Sequence, residues 1–308
     1  MARLSPAELY DRYRQGFSGC LWEPHIFNRL LETSKYGYFG DGARRISNSG
    51  KGKLSIPYKS VLKFDKKPYE ERQVTGDCVS HATRNACDLS RAVEIDLHKE
   101  KESWIARGAT EGIYGARGWA GQGMSCSRAA EFVSKIGGIL VRKDYKGVVD
   151  LTKYNGNLGA GWGGRGLPDK VIDLANDHQI KTVSLVRTIE EARDALANGY
   201  GLAVCSSYGF SNVRDKKGFA KVSGSWAHAM AWIACDDTNG DTSFLVQNSW
   251  GKWNEGGHPE WGPIPDGSFL IHSDVAAGML AQNGAYAFSN FDGFPVQKLP
   301  DYGFDSYL

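Results

Sequence analysis

The stretch "AHAMAWIACDDTNGDTSFLVQNSWGKW", Ala227 to Trp253, decides how this chain is read. Two apolar runs flank an acidic turn in which Asn239-Gly240 suits the positive φ of a tight connection between antiparallel neighbours. Such neighbours bring Asn248, at the end of the second run, beside His228, 20 residues earlier at the start of the first. A lone histidine on an apolar strand is more often a core residue with one satisfied nitrogen. An amide at the matching position changes that reading. It can accept from one imidazole nitrogen and leave the other facing a nucleophile. Trp250 is placed to cover that hydrogen bond and keep water from it.

Working outward, further strands read at "GLAVCSSY" (201–208) and "GSFLIH" (267–272). Helices precede them. Val79, Ala82, Ala86, Leu89 and Val93 recur at steps of three and four, which predicts a long helix beginning near Asp77. "SRAAEFVSKIGG" (127–138) and the Thr-capped "TIEEARDALANGYG" (188–201) predict two more. Helices first and strands later, without βαβ alternation, predict an α+β fold with a mainly antiparallel sheet. Ser5-Pro6-Ala7-Glu8 is a capping box that opens a short helix, and another spans Pro24–Ser34. "GARRISNSGKGKLS" (42–55) reads as an exposed basic linker, and the Gly-rich "GAGWGGRG" (159–166) as a mobile surface loop. The division expected is an arm over 1–55, a main domain over 56–275, and an aromatic, Gly-rich tail over 276–308 made to lie on a surface.

Composition sets outer bounds. The chain has 308 residues, 41% hydrophobic and 23% charged, with a net charge of +2. That is ordinary globular composition with no bulk field to draw in nucleic acid or membrane, so neither is expected as a partner. No basic start followed by an apolar run opens the chain, and no apolar segment is long enough to span a bilayer. The expected setting is cytoplasmic or a sheltered assembly such as a virion. The six cysteines form no C-x-x-C pair, which favours reduced thiols. Cys78 and His81 lack a second pair at ligand spacing, so no metal and no cofactor are expected.

Cys78 falls in the first turn of the predicted long helix, where free backbone N–H groups and the helix dipole favour a thiolate. With His228 and Asn248 it completes a Cys-His-Asn constellation. At this point the chain resembles the papain-like (C1 family) cysteine peptidases. Gln73-x-x-x-x-Cys78 is similar to their nucleophile segment, Ala227-His228-Ala229 to their histidine strand, and Gln247-Asn248-Ser249-Trp250-Gly251 to their asparagine motif. "SIPYKSV" (55–61) resembles the start of their mature domain, and "GQGMSCSRAAEFVSKIGGI" (121–139) their substrate loop and following helix. His228 lies 150 residues after Cys78 and Asn248 lies 170 after it. The family's spacings run to about 150. The Gln73-to-Cys78 loop is one residue shorter than the family's. Val79 stands where the family has Trp, and Thr75 where it has a disulfide cysteine.

The resemblance implies a papain-like fold, with Cys78 on a helical half and His228 and Asn248 on an antiparallel β half. It implies a polypeptide substrate hydrolysed at Cys78, with Gln73 and the Cys78 amide binding the oxyanion. Gly121, Gln122, Gly123 and Met124 would lie along the substrate backbone, with Ala229 near a side-chain pocket and Trp250 over the site. A rival reading keeps the same domain as an assembly component of a phage or virus particle. In it, residues 1–55 and 276–308 would dock a protein partner.

Overall fold

The computed structural model of the protein describes residues 19–99 and 107–299. The Ser5–Glu8 capping box lies outside the described residues. The main sheet has six principal strands: β1 (Thr182–Leu185), β2 (Leu202–Arg214), β3 (Ala220–Asp236), β4 (Ser243–Gln247), β5 (Ser268–His272) and β6 (Ala285–Ser289). Their order is β1-β6-β2-β3-β4-β5 with every neighbour antiparallel. Two short strands, Leu54–Ser55 and Glu255–Gly256, attach to β3 and β2. The α+β reading holds.

Alternation along the strands explains how the halves meet. Leu202, Val204, Met230 and Trp232 point to one face, into a core with Phe244, Val246 and Trp250. The opposite face carries small residues, Ala203, Ala229 and Ala231. A helix can approach such a face closely. The helix that does so runs Cys78–His98 as predicted; α1 is Pro24–Thr33 and this long helix is α2. Val79, Ala82 and Ala86 of α2 pack with Ala203 and Ala229. The approach is tight enough that a Cβ at Gly201 would lie 2.4 Å from the Ala86 carbonyl oxygen.

The structure corrects four readings. "GAGWGGRG" belongs to a helix, Gly156–Arg165, with Asn155 capping it from the Leu158 N–H. Gly163 makes room for a buried cation: Arg117 donates to the carbonyls of Tyr114, Gly159, Ala160 and Gly121. A Cβ at Gly163 would sit 1.9 Å from Arg117 Nη1. Within the described part of the expected tail, 276–299, the chain is not laid on the surface, since β6 is buried throughout and sits between β1 and β2. The 42–55 segment is exposed along its charged side but pinned to the domain. Ile46 is fully buried, and Asn48 and Gly50 donate backbone N–H groups to Asp194. Finally, two of the six cysteines are not reduced, because Cys126 and Cys205 form a disulfide with Cα atoms 6.1 Å apart. Among the described residues no helix is long and apolar enough to cross a membrane.

Candidate active site

Strand pairing sets the site. Ala231 is paired with Gln247 across β3 and β4, so Asn248, just beyond β4, comes level with Met230 and diagonally beside His228, two residues away on the same face of β3. His228 Nε2 lies 2.8 Å from Asn248 Oδ1. The Ser249 N–H also points to Asn248 Oδ1, at 2.7 Å. Only an oxygen can accept from a backbone N–H, which fixes the orientation of the amide. Nε2 must then be the protonated nitrogen of a neutral ring, and Nδ1 is left as the base. Trp250 covers the pair, its ring centroid 4.7 Å from that of His228. Its indole N–H reaches Gln73 Oε1 at 3.1 Å.

Cys78 opens α2, facing β3 from the helical half. Cys78 and Ala229, the residue after His228, share one packed cluster. His81, one turn past Cys78, acts on the ionisation of His228. Cys78 and His228 are both fully buried. Burial pushes His228 down to about 3, against the opposing pull of Asn248, with His81 lowering it further. In this arrangement the imidazole is neutral.

Gln73 is held on three sides. Its backbone N–H donates to the Ser249 carbonyl at 2.9 Å, its Oε1 accepts from Ser249 Oγ at 2.5 Å, and its Nε2 donates to the Thr75 carbonyl at 2.8 Å. The loop from Gln73 to Cys78 is braced from both sides. Gln122 Oε1 accepts from Gly76 N and Thr75 Oγ1 at 2.6 and 2.7 Å. Tyr154 accepts from Val74 N and donates to Asp77 Oδ2 at 2.7 Å. Gln122, read as a substrate contact, here serves that loop, while Gly121 accepts from Arg117 and Gly123 turns with a φ of 86°. Tyr154 and Arg117 were invisible to sequence reasoning because they act across large separations with no local motif.

A piece of this chain, residues 19–21, lies between Met124 and Ala227. The N–H groups of Gly19 and Cys20 both reach the Ala227 carbonyl, at 2.9 and 2.8 Å. Leu21 N donates to the Met124 carbonyl and Met124 N to the Gly19 carbonyl. Glu23 anchors the next residues, accepting from Ser125 Oγ at 2.6 Å and from the Arg128 guanidinium.

No protein-family model and no curated protein sequence matches the chain. Solved structures do. Procathepsin B S9 from Trypanosoma congolense superposes with a TM-score of 0.53 over 93% of this chain and 89% of its own, at 12% identity. A digestive procathepsin L2 from the larval midgut of Tenebrio molitor gives 0.54 over 91% and 80%, at 14% identity. The fold is papain-like. At these identities the likeness is one of fold. Within it the helical half carries Cys78 and the sheet carries His228 and Asn248.

Proposed function

We propose that the protein is a thiol peptidase that hydrolyses peptide bonds through Cys78, His228 and Asn248. The observation that carries this reading is the fixed amide of Asn248, which leaves His228 Nδ1 as a base on the strand facing the start of α2. Nδ1 takes the Cys78 proton as sulfur attacks the scissile carbonyl, then returns it to the leaving amine. Water then hydrolyses the thioester by the reverse use of the same groups. Asn248 keeps the ring oriented and stabilises the imidazolium when it forms. The Cys78 backbone N–H and the Gln73 amide are assigned to the oxyanion, a role that braced, preorganised donors fill at no reorganisation cost. Trp250 excludes water from the His228–Asn248 bond, and Ala229 with Met124 borders the substrate groove.

Residues 19–21 occupy that groove as a cover, so the form described is a resting one. In this form burial holds the His228 ring neutral. Opening the groove hydrates the ring, returns its pKa towards the usual range near 6.5, and permits a Cys78–His228 ion pair. The test is to incubate the purified protein, with a mixed peptide library and reductant, and to read cleavage by mass spectrometry. Cleavage by the native chain and none by Cys78→Ala is the expected result. Equal turnover by both proteins removes Cys78 from the chemistry.

A further inference from the structure

Three sulfurs meet where residues 19–21 lie. The Sγ atoms of Cys20, Cys126 and Cys205 all lie within 4.8 Å of one another, and Cys126 and Cys205 are already bonded. Cys20 is held there by its backbone, in a parallel bridge beside Met124 and with its N–H on the Ala227 carbonyl. Cys126 begins the helix that follows Met124, while Cys205 sits on β2 opposite Ala229 of β3. One pocket is lined by all three cysteines together with Ala227 and Tyr286. The disulfide is therefore part of the wall of a pocket that Ala227 also lines, and the arm places a free thiol against it. A sulfur this near a disulfide needs only side-chain rotation to attack it.

We propose that Cys20 exchanges with the Cys126–Cys205 disulfide and thereby fastens residues 19–22 covalently across the groove. Cys20 gives up its proton and its thiolate attacks Sγ of Cys126 or of Cys205. The bond between those two sulfurs breaks as the bond to Cys20 forms. The displaced sulfur leaves as a thiolate and takes up a proton. One disulfide is lost and one is made, so no outside oxidant is consumed. A small thiol or dithiol reductant cleaves the new bond and frees the arm. Burial keeps the Cys20 thiol protonated, with Cys78 nearby acting in the same direction, which slows the exchange and lets each bonding state be trapped by acid. The hinge has a defined place, because Glu23 onwards is tied to Ser125 and Arg128, and Arg29 to Glu131. The chemistry of exchange is independent of the peptidase reading; its consequence, blocked hydrolysis, rests on that reading.

The test uses the full chain purified without reductant and equilibrated in a glutathione redox buffer. It is acid-quenched, alkylated with N-ethylmaleimide and peptide-mapped without reduction. Cys20–Cys126 or Cys20–Cys205 peptides are expected beside Cys126–Cys205, and Cys20→Ser removes only the first kind. Cys205→Ser and Cys126→Ser each leave a single partner on the wall, so oxidised glutathione should drive at least one of them to an arm-linked form that dithiothreitol releases. Complete alkylation of Cys20 throughout overturns the proposal. So does a bond from Cys20 to Cys78, or three free thiols holding an equimolar metal ion. An arm-linked form that still cleaves peptides at the rate of the reduced protein overturns the latch while leaving the exchange itself in place.

Discussion

A single backbone N–H, that of Ser249, decides the chemistry that His228 can perform. By fixing the amide of Asn248 it places the proton on Nε2 and the lone pair on Nδ1. Asn248→Ala removes the orientation but neither proton carrier. It should lower kcat by less than the roughly 10²–10⁴-fold that general acid–base transfer contributes, whereas Cys78→Ala and His228→Ala each abolish turnover with the fold intact. Steady-state kinetics on one cleaved peptide separate the cases; a loss in Asn248→Ala as complete as in His228→Ala would make the amide more than a positioning group. Gln73 is the second residue to test. Its carbonyl oxygen is taken by Ser249 Oγ and the Trp250 indole, so the side chain is locked rather than free to turn. Gln73→Ala should reduce kcat by roughly 10²–10³, the cost of losing one oxyanion donor, with little change in KM. A change confined to KM would place Gln73 outside the oxyanion site.

At the scale of elements, strands flanking an Asn-Gly turn and a helix with a clear apolar stripe were legible, because period and turn chemistry are local. β1 and β6 were not: each is only four or five residues long, and their pairing partners lie far away in sequence. The disulfide was hidden for the same reason, with 79 residues between its cysteines. Closing a loop of that size stabilises the fold by roughly 4–5 kcal/mol in the chain-entropy picture. The helix Gly156–Arg165 was hidden for another reason. Five glycines in ten residues signal a loop by propensity, yet here Gly159 packs closely on the Glu111 backbone and Gly163 on the Arg117 guanidinium. That account is testable. Gly163→Ala drives a methyl into a buried guanidinium that cannot swing away without abandoning its carbonyls, and should destabilise by about 1–3 kcal/mol. Gly164→Ala meets only Ala120, with its Cβ at 3.2 Å. There the helix-propensity gain of up to ~1 kcal/mol offsets the contact. Chemical denaturation of both variants decides it, and equal effects would mean that Arg117 does not dictate the glycine at 163.

At the scale of the whole molecule, the covered site couples to global stability through pH. The folded-state pKa of His228 is depressed by burial to about 3, while an unfolded chain titrates near 6.5. Its contribution is therefore fully present above about pH 6.5 and is lost as pH falls towards 3, at about 1.4 kcal/mol per pH unit. Two other buried groups act in overlapping windows. Asp88, raised to about 6 by burial, works in the opposite sense, and Glu71, held near 2 chiefly by Arg84 and Arg142 against its own burial, loses stability below its usual range. A raw stability curve mixes all three, so the informative quantity is the difference between the native protein and His228→Gln. The groups common to both cancel in it. That difference should shrink steadily from pH 6.5 downward in the full chain. Truncation before Glu23 removes the cover at Gly19–Leu21 while keeping the Glu23 anchor, hydrates the ring, and should flatten the dependence. Truncation of the whole 1–55 arm is a different experiment, since it strips Ile26, Leu30, Phe39 and Ile46 from the core and should cost the fold itself. Denaturation from pH 7 to pH 4 on the full chain, the short truncation and their His228→Gln partners tests this. A full-chain difference that does not move with pH would show that His228 is already hydrated in solution and that residues 19–21 do not seal the site.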